Sequence, residues 1–263
     1  MRQTSANSDG RADPYAPIAD FYDLEHDSFT DDLAMYRQIV DMVGDPVLEL
    51  ACGSGRILAA LADGSRQLTG VDRSEAMIDR ARGRFAGMAA QPRLIVADMA
   101  EVHVPEASCG VVIIGLSSFH HAASQDQQQD VLDCAFRALD PRGMLVLDML
   151  NPFIELNGQG DGVVHRERDL GQRQGSPVSK FSVKRSDSIR QEIHQTIWYD
   201  TLSPDGAVAR TTTEFRLRLV YPSELTLLLA RSGFVGWEIY GSWELDEFTA
   251  ESDRMIFMAE KSK

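Results

Sequence analysis

A chain of 263 residues with a formal charge of −14 can bury a large core as one domain. Its acidity argues against sequence-independent nucleic-acid binding, which runs on Lys and Arg, and against docking on an anionic membrane surface. Three cysteines, Cys52, Cys109 and Cys134, show neither paired metal-ligand spacing nor a disulfide framework, and no 18-residue apolar run or signal-peptide pattern occurs, so a cytoplasmic location is expected.

Residues 1–14 are polar and aperiodic and read as a disordered tail. Order is expected from Tyr15. Ile18, Phe21, Tyr22 and Leu24 mark one side of a short helix. Asp31 to Val43 reads as a second helix with Leu33, Tyr36, Ile39 and Val40 inward, stopped by Gly44 before Pro46. Val47–Leu50 is an apolar run of the kind that forms a buried parallel strand. It feeds a Gly-x-Gly turn, Gly53-Ser54-Gly55, and a helix follows from Ile57. Strand, glycine turn and helix together make a nucleotide site. The glycines let a ligand approach the main chain, and the helix start offers free N–H groups.

Which nucleotide is steered by two details. A dinucleotide fingerprint wants a third glycine where Leu58 stands. Instead an acid, Glu49, precedes the turn, and a second acid, Asp72, closes the next apolar strand, Gln67–Val71, 17 positions beyond Gly55. A carboxylate there can accept both hydroxyls of a ribose. No Lys follows the glycines, so nothing cradles phosphates.

Further along, Ser74 is an N-cap for a helix over Glu75–Phe85, and Leu94–Val96 reads as a third strand leading to Asp98. Gly110–Leu116 is a fourth strand running into Ser117-Ser118-Phe119-His120-His121. A Gln-rich helix start follows, carried by Val131, Leu132, Ala135, Phe136 and Leu139. Asp140-Pro141-Arg142-Gly143 reads as a turn and Met144–Asp148 as a fifth strand. Alternating strands and helices from 46 to 150 predict an α/β, doubly wound, mainly parallel sheet. The character changes at Asn151-Pro152-Phe153. After a Gly/Gln-rich stretch to Gly175 come β-like runs at Ser179–Ser186, Gln191–Thr201 and Val208–Tyr221, with Ser203-Pro204-Asp205-Gly206 as a hairpin signal. Residues 151–220 are therefore expected to be an antiparallel β insert. Residues 221–263 complete the core sheet, with a helix from Pro222 to Arg231 and an antiparallel end pair, Phe234–Gly241 and Met255–Ala259.

Glu49-Leu-Ala-Cys-Gly-Ser-Gly55, Gly70-Val-Asp72-Arg-Ser-Glu-Ala-Met77 and Ala97-Asp98-Met99 resemble, in order, the motifs of class I S-adenosylmethionine (SAM)-dependent methyltransferases. The resemblance is close over residues 15–150 and looser beyond. It implies a seven-stranded Rossmann-like sheet with an N-terminal helical cover, and SAM as cofactor. It places Glu49, Ala51, Gly53 and Gly55 by the methionyl end, Asp72 on the ribose, and Asp98 with Met99 on the adenine. Arg73 and Met77 are placed on the adenine faces, and Tyr15 and Tyr22 in the cover. Ordinary core packing is the alternative for the two tyrosines, a turn acid for Asp98, and a solvated helix end for Arg73. Leu116 and its successors lie in the loop that borders the sulfonium in the family. The family commonly has Asn-Ser-Phe-x-His there; Ser117 replaces the Asn and His121 matches the His. Arg56 has no assigned role.

Methyl transfer to a neutral amine needs mainly alignment and exclusion of water, whereas a hydroxyl needs a base. The candidate bases are His121, chosen over His120 on the motif match, and Tyr22. A histidine packed against the insert or capping a helix is the plainer alternative. His194, in an alternating β-run, reads as an outward polar residue. No metal constellation is evident. The function expected is SAM-dependent methyl transfer to an amine or hydroxyl of a small molecule, such as a secondary-metabolite intermediate. The insert and N-terminal helices are expected to build the acceptor pocket, and the insert to mediate any homo-oligomer. A non-catalytic SAM-binding protein is the alternative; a nicotinamide dehydrogenase is disfavoured by Leu58. No nucleic-acid or membrane partner is expected.

Overall fold

The computed structural model describes residues 13–89 and 91–261. Residues 1–12 of the expected tail lie outside the described residues. Asp13 and Pro14 do not behave as tail. Asp13 is buried and accepts the Ser74 hydroxyl at 2.6 Å, while the Pro14 carbonyl accepts the Thr213 hydroxyl at 2.6 Å. The Ser74 and Thr213 hydroxyls thus fix both residues against the body of the protein.

Two helices open the described chain, α1 (Ala19–His26) and α2 (Leu33–Val43). The core then alternates β1 (Val47–Leu50), α3 (Arg56–Leu61), β2 (Leu68–Asp72), α4 (Glu75–Phe85), β3 (Arg93–Val96) and β4 (Cys109–Ile114). A 3-10 turn (Ser118–His121), α5 (Gln125–Ala138) and β5 (Leu139–Leu150) follow. After the insert come α7 (Pro222–Ser232), β10 (Phe234–Tyr240) and β11 (Arg254–Lys261). The seven strands lie in the order β10-β11-β5-β4-β1-β2-β3. Strands β1 to β5 are parallel; β11 runs antiparallel between β5 and β10, so β10 and β11 form the expected antiparallel end pair.

Both faces of the sheet are covered, which is why its strands read as continuous apolar runs. Leu33, Tyr36, Ile39, Ile57, Leu58 and Phe85 from α2, α3 and α4 pack on one face. Residues of α5 and α7, among them Leu132, Ala135, Leu225 and Leu229, pack on the other. Leu58, standing where a dinucleotide site has glycine, meets a strand that has given up its own side chain. A Cβ on Gly70 would lie 2.6 Å from Leu58 Cδ1. Helix and strand approach closely here with bulk on the helix instead of on the strand.

The expected turn at 140–143 does not separate β5 from α5. It lies inside the long strand, in the irregular step between the Cys109–Leu139 and Val111–Met144 pairs. In the insert, a short helix α6 (Pro152–Glu155), capped by Asn151, precedes β6 (Val164–Arg173), β7 (Ser176–Asp187), β8 (Glu192–Leu202) and β9 (Val208–Arg218). They form a four-stranded antiparallel meander. Strand β6 falls in the Gly/Gln-rich stretch of the expected insert, where no β-like run is marked in the sequence. It is an exposed edge strand with two irregular steps, so it never needed the apolar alternation that marks a strand in a sequence. One face of the meander packs on α1, with Phe21 stacked on Tyr199 at 4.6 Å.

Candidate functional site

A cavity of about 480 Å³ opens at the carboxyl ends of β1, β2, β3 and β4, where doubly wound sheets take their ligands. Of the expected site residues, Tyr15, Tyr22, Ala51, Gly53, Asp72, Arg73, Met77, Asp98, Met99 and His121 line it. Glu49, Gly55 and Leu116 do not.

The glycine turn explains part of this division. Ala51, Gly53 and Gly55 all have positive φ, at 59°, 54° and 78°. A Cβ on Gly53 would come 3.3 Å from Met77 Cε and 3.6 Å from the Tyr22 hydroxyl, so this glycine keeps the wall low. A Cβ on Gly55 would instead strike Phe85 at 2.8 Å, so that glycine serves the approach of α4 to the turn and not the cavity.

Asp72 is buried and holds the turn together. Gly53 N–H donates to its Oδ2 and Ser74 N–H to its Oδ1, each at 2.8 Å. Burial raises its pKa to about 6, although these two bonds oppose the shift. Each oxygen keeps a lone pair for a ligand hydroxyl. Asp98 accepts Ala100 N–H at 2.9 Å, closing the turn that presents Ala97 and Met99 to the cavity. Glu49 lies behind the wall, near enough to Tyr22 and Asp72 to act on both electrostatically. Burial raises its pKa well above the ordinary carboxylate range against the pull of Arg56, and its Oε2 has no hydrogen-bond partner.

Arg56 turns out to be structural. It pairs with buried Asp32 and donates to the Phe29 carbonyl at 2.8 Å. That ties the linker between α1 and α2 to the glycine turn. The other side of α1 is tied to the insert. Lys180 and the Tyr199 hydroxyl both bond Glu25, the latter at 2.8 Å. Burial works to raise the Glu25 pKa, but Lys180 with its neighbours more than offsets this and the net shift is downward.

Tyr15 and Tyr22 form the roof, ring against ring at 6.1 Å. The Tyr15 hydroxyl is 2.9 Å from His121 Nε2. Burial, reinforced by Arg73, lowers the His121 pKa to about 4, so the ring is neutral near pH 7. Burial pushes the hydroxyl of Tyr22, the other expected base, well above the ordinary tyrosine value, and a base would need the phenolate. His120 faces away from the cavity. It accepts Leu150 N–H at Nε2 (3.2 Å), which leaves Nδ1 to donate to the Arg218 carbonyl at 3.0 Å. Its pKa falls to about 3 through burial. His194 is exposed and pairs with Glu192, the outward position expected of it.

No residue of the insert lines the cavity. Phe215 backs Tyr15 at 5.1 Å and His121 at 5.7 Å, and Thr213 holds Pro14, so the N-terminal strap stands between the insert and the site. Sequence reasoning missed the contribution of α5, whose Gln127, Asp130 and Val131 form part of the wall. Their spacing on one side of a helix that starts just after the fourth strand was the available signal.

The residue set suits a nucleoside: a carboxylate with spare lone pairs at Asp72, a turn at Asp98–Met99, and apolar surface from Met77, Ala97, Ala122 and Val131. Among the described residues no cluster of three metal-ligating side chains occurs, and no helix is long and apolar enough to cross a membrane.

Comparison with known proteins agrees. Residues 47–143 match the family described as a methyltransferase domain. YqeM of Bacillus subtilis (strain 168), itself named only provisionally as a methyltransferase, is 25% identical over 220 residues, covering 82% of this chain and 84% of that one. The fold matches that of the CcbJ methyltransferase from Streptomyces caelestis with a TM-score of 0.75 at 23% identity, over 95% of this chain and all of that one. The sugar N-methyltransferase KedS8 from Streptoalloteichus sp ATCC 53650 matches with a TM-score of 0.76 at 20% identity, over 100% and 98% of the two chains. Residues 47–143 thus match a methyltransferase domain, the resemblance to class I enzymes extends to the fold, and the cofactor of such a domain is SAM.

Proposed function

We propose that this chain transfers a methyl group from SAM to an amine of a small molecule, with an amino sugar or similar secondary-metabolite intermediate as acceptor. The observation that carries the choice of amine is the state of the cavity's two candidate bases. His121 has its Nε2 engaged by Tyr15 and a pKa near 4, and Tyr22 is held in its neutral form. Neither is fit to take a proton from a hydroxyl, while an amine that enters neutral needs no base. The fold's likeness to a sugar N-methyltransferase supports the same acceptor class.

When bound, SAM would supply an electrophilic methyl group, to which the acceptor's lone pair bonds as the carbon–sulfur bond breaks in line and S-adenosylhomocysteine leaves. The protein's own residues supply place and dryness. Asp72 receives the ribose hydroxyls, and Asp98 with the Met99 main chain receives the adenine edge, between Arg73 and Met77. Gly53 and Ala51 bring the main chain close to the methionyl end, with the unpartnered Glu49 oxygen behind them. Tyr15 and Tyr22 close over the donor. The Tyr15–His121 pair orients the acceptor nitrogen through hydrogen bonds. The insert acts by seating the strap that carries Tyr15.

The test is incubation with SAM carrying a labelled methyl group and a panel of amino sugars, each beside the congener with hydroxyl in place of the amine. Label in the amines and not in the hydroxyl congeners is the expected result. Transfer confined to the hydroxyl members overturns the choice of amine, and binding without transfer to any acceptor favours a non-catalytic SAM-binding role.

A further inference from the structure

Where β4 ends, two consecutive residues with side chains, Leu116 (φ 47°) and Ser117 (φ 65°), take the left-handed conformation. Such a pair persists only where its surroundings over-determine it. Here the surroundings are distant in sequence. Leu116 N–H donates to Asp148 Oδ2 at 3.3 Å, and Ser117 N–H donates to the Asp148 main-chain carbonyl at 2.8 Å. Arg254 Nε and Nη2 both donate to Asp148 Oδ1, at 2.8 and 2.6 Å, and Nη2 also donates to Ser117 Oγ at 2.9 Å. Asp148 is fully buried, with the Tyr36 hydroxyl 3.4 Å from Oδ2. Arg254 is itself steadied by the Trp243 ring at 5.5 Å. A buried ion pair adds little net stability over apolar side chains of the same volume, so stability alone is a weak account of this one.

We propose that Arg254 and Asp148 are positioning residues, which hold the Leu116–Ser117 turn so that the following 3-10 turn presents Ser118 and His121 to the cavity. Arg254 is absent from the cavity wall and acts through Ser117 and Asp148. The 3-10 turn has two anchors. Its near end is held by this pair, and its far end by the His120 ring, bonded to Leu150 and Arg218. With the near anchor gone, His121 swings about the far one and its bond to Tyr15 is lost. The meaning of that position rests on the methyltransferase reading above, but its test needs no acceptor.

The experiment follows the histidine ring signals by NMR across pH in the whole chain, saturated with S-adenosylhomocysteine. The variants are Arg254→Met, Arg254→Lys and Ser117→Ala. Ser117→Ala removes only one hydroxyl and keeps the test open if Arg254→Met does not fold. In Arg254→Met and Ser117→Ala the His121 signals shift, and its titration midpoint rises toward the ordinary histidine value of about 6.5. His120 stays where it was in Ser117→Ala, because its own partners are untouched; in Arg254→Met it rises, because the Arg254 charge helps to hold it down. Arg254→Lys, which retains the charge opposite Asp148 without the second arm to Ser117, falls between wild type and Arg254→Met. Two results overturn the proposal. One is a His121 spectrum unchanged in every variant that folds. The other is His120 and His121 moving together in Ser117→Ala with a lowered melting temperature, which marks general loosening. Absence of methyl transfer to amines leaves either reading of the spectra intact.

Discussion

Replacement of Asp72 by alanine strikes the cofactor site at its centre. The carboxylate already accepts two buried N–H groups at 2.8 Å and has lone pairs left for a ribose. Loss of hydrogen bonds to a charged partner costs about 1.5–3 kcal/mol, which weakens SAM binding roughly 10- to 150-fold. The fold loses too, since each N–H left without a partner costs about 1–3 kcal/mol. Affinity is therefore measured on protein shown by circular dichroism to be folded. The pH dependence gives an independent handle. In the free protein burial holds the Asp72 pKa at about 6. Ribose hydroxyls favour the ionised form, so the pKa is lower in the complex, and SAM binds more tightly as pH rises through about 6. Folding stability runs the other way. A raised folded-state pKa makes this residue's contribution greatest below about 3.9, and it is lost as pH rises through about 6. Calorimetric titration of both proteins between about pH 5 and 8 reads the binding effect, and thermal melts over the same range read the stability. The reasoning is refuted if Asp72→Ala binds SAM with wild-type affinity and keeps the wild-type pH slope.

Three other outcomes are expected. His121→Ala lowers turnover by less than the ~10²-fold that loss of a general base costs, with SAM affinity unchanged. Because its ring is already neutral above about pH 4, the wild-type rate profile carries no limb from His121 near neutrality; a limb there that vanishes in the variant contradicts the amine reading. Glu25→Gln leaves Lys180 of the insert without its carboxylate on α1 and destabilises by about 3 kcal/mol in thermal melts. The Glu25 pKa is lowered by folding, so its contribution is present above the ordinary glutamate range and fades as pH falls below it; equal melting of the two proteins at neutral pH counts against this tie between α1 and the insert. Ala51→Gly relieves a left-handed alanine and raises stability to urea by about 0.5–1 kcal/mol after the added freedom of the unfolded chain is subtracted, and a decrease contradicts the strain.

The core was legible because its physics is local. Apolar runs bounded by turn chemistry mark β1 to β5, and Asp72 announces itself by closing a strand. Strand β6 was illegible because an exposed edge needs no apolar face. Arg56 and Asp32 meet across 24 residues, and Arg254 and Asp148 across 106; spacing gives no hint of either pair. Glu49 and Gly55 carry the right motif letters yet stand behind the cavity wall, because a motif marks a turn, and only the packed turn decides which atoms face the ligand. The insert and the N-terminal helices were expected to build the acceptor pocket together, and the sequence does not say which of them stands next to the cavity. Tyr15 reaches His121 first, and a strap crossing a cavity is a tertiary contact with no periodic trace.

The central claim is that this one cavity is a SAM site. Calorimetric titration of the purified chain with SAM, with S-adenosylhomocysteine as competitor and NAD as a parallel ligand, tests it most directly. The account predicts one SAM bound per chain, displaced by S-adenosylhomocysteine, and no heat from NAD. Binding of NAD, or failure of a folded chain to bind SAM, contradicts it.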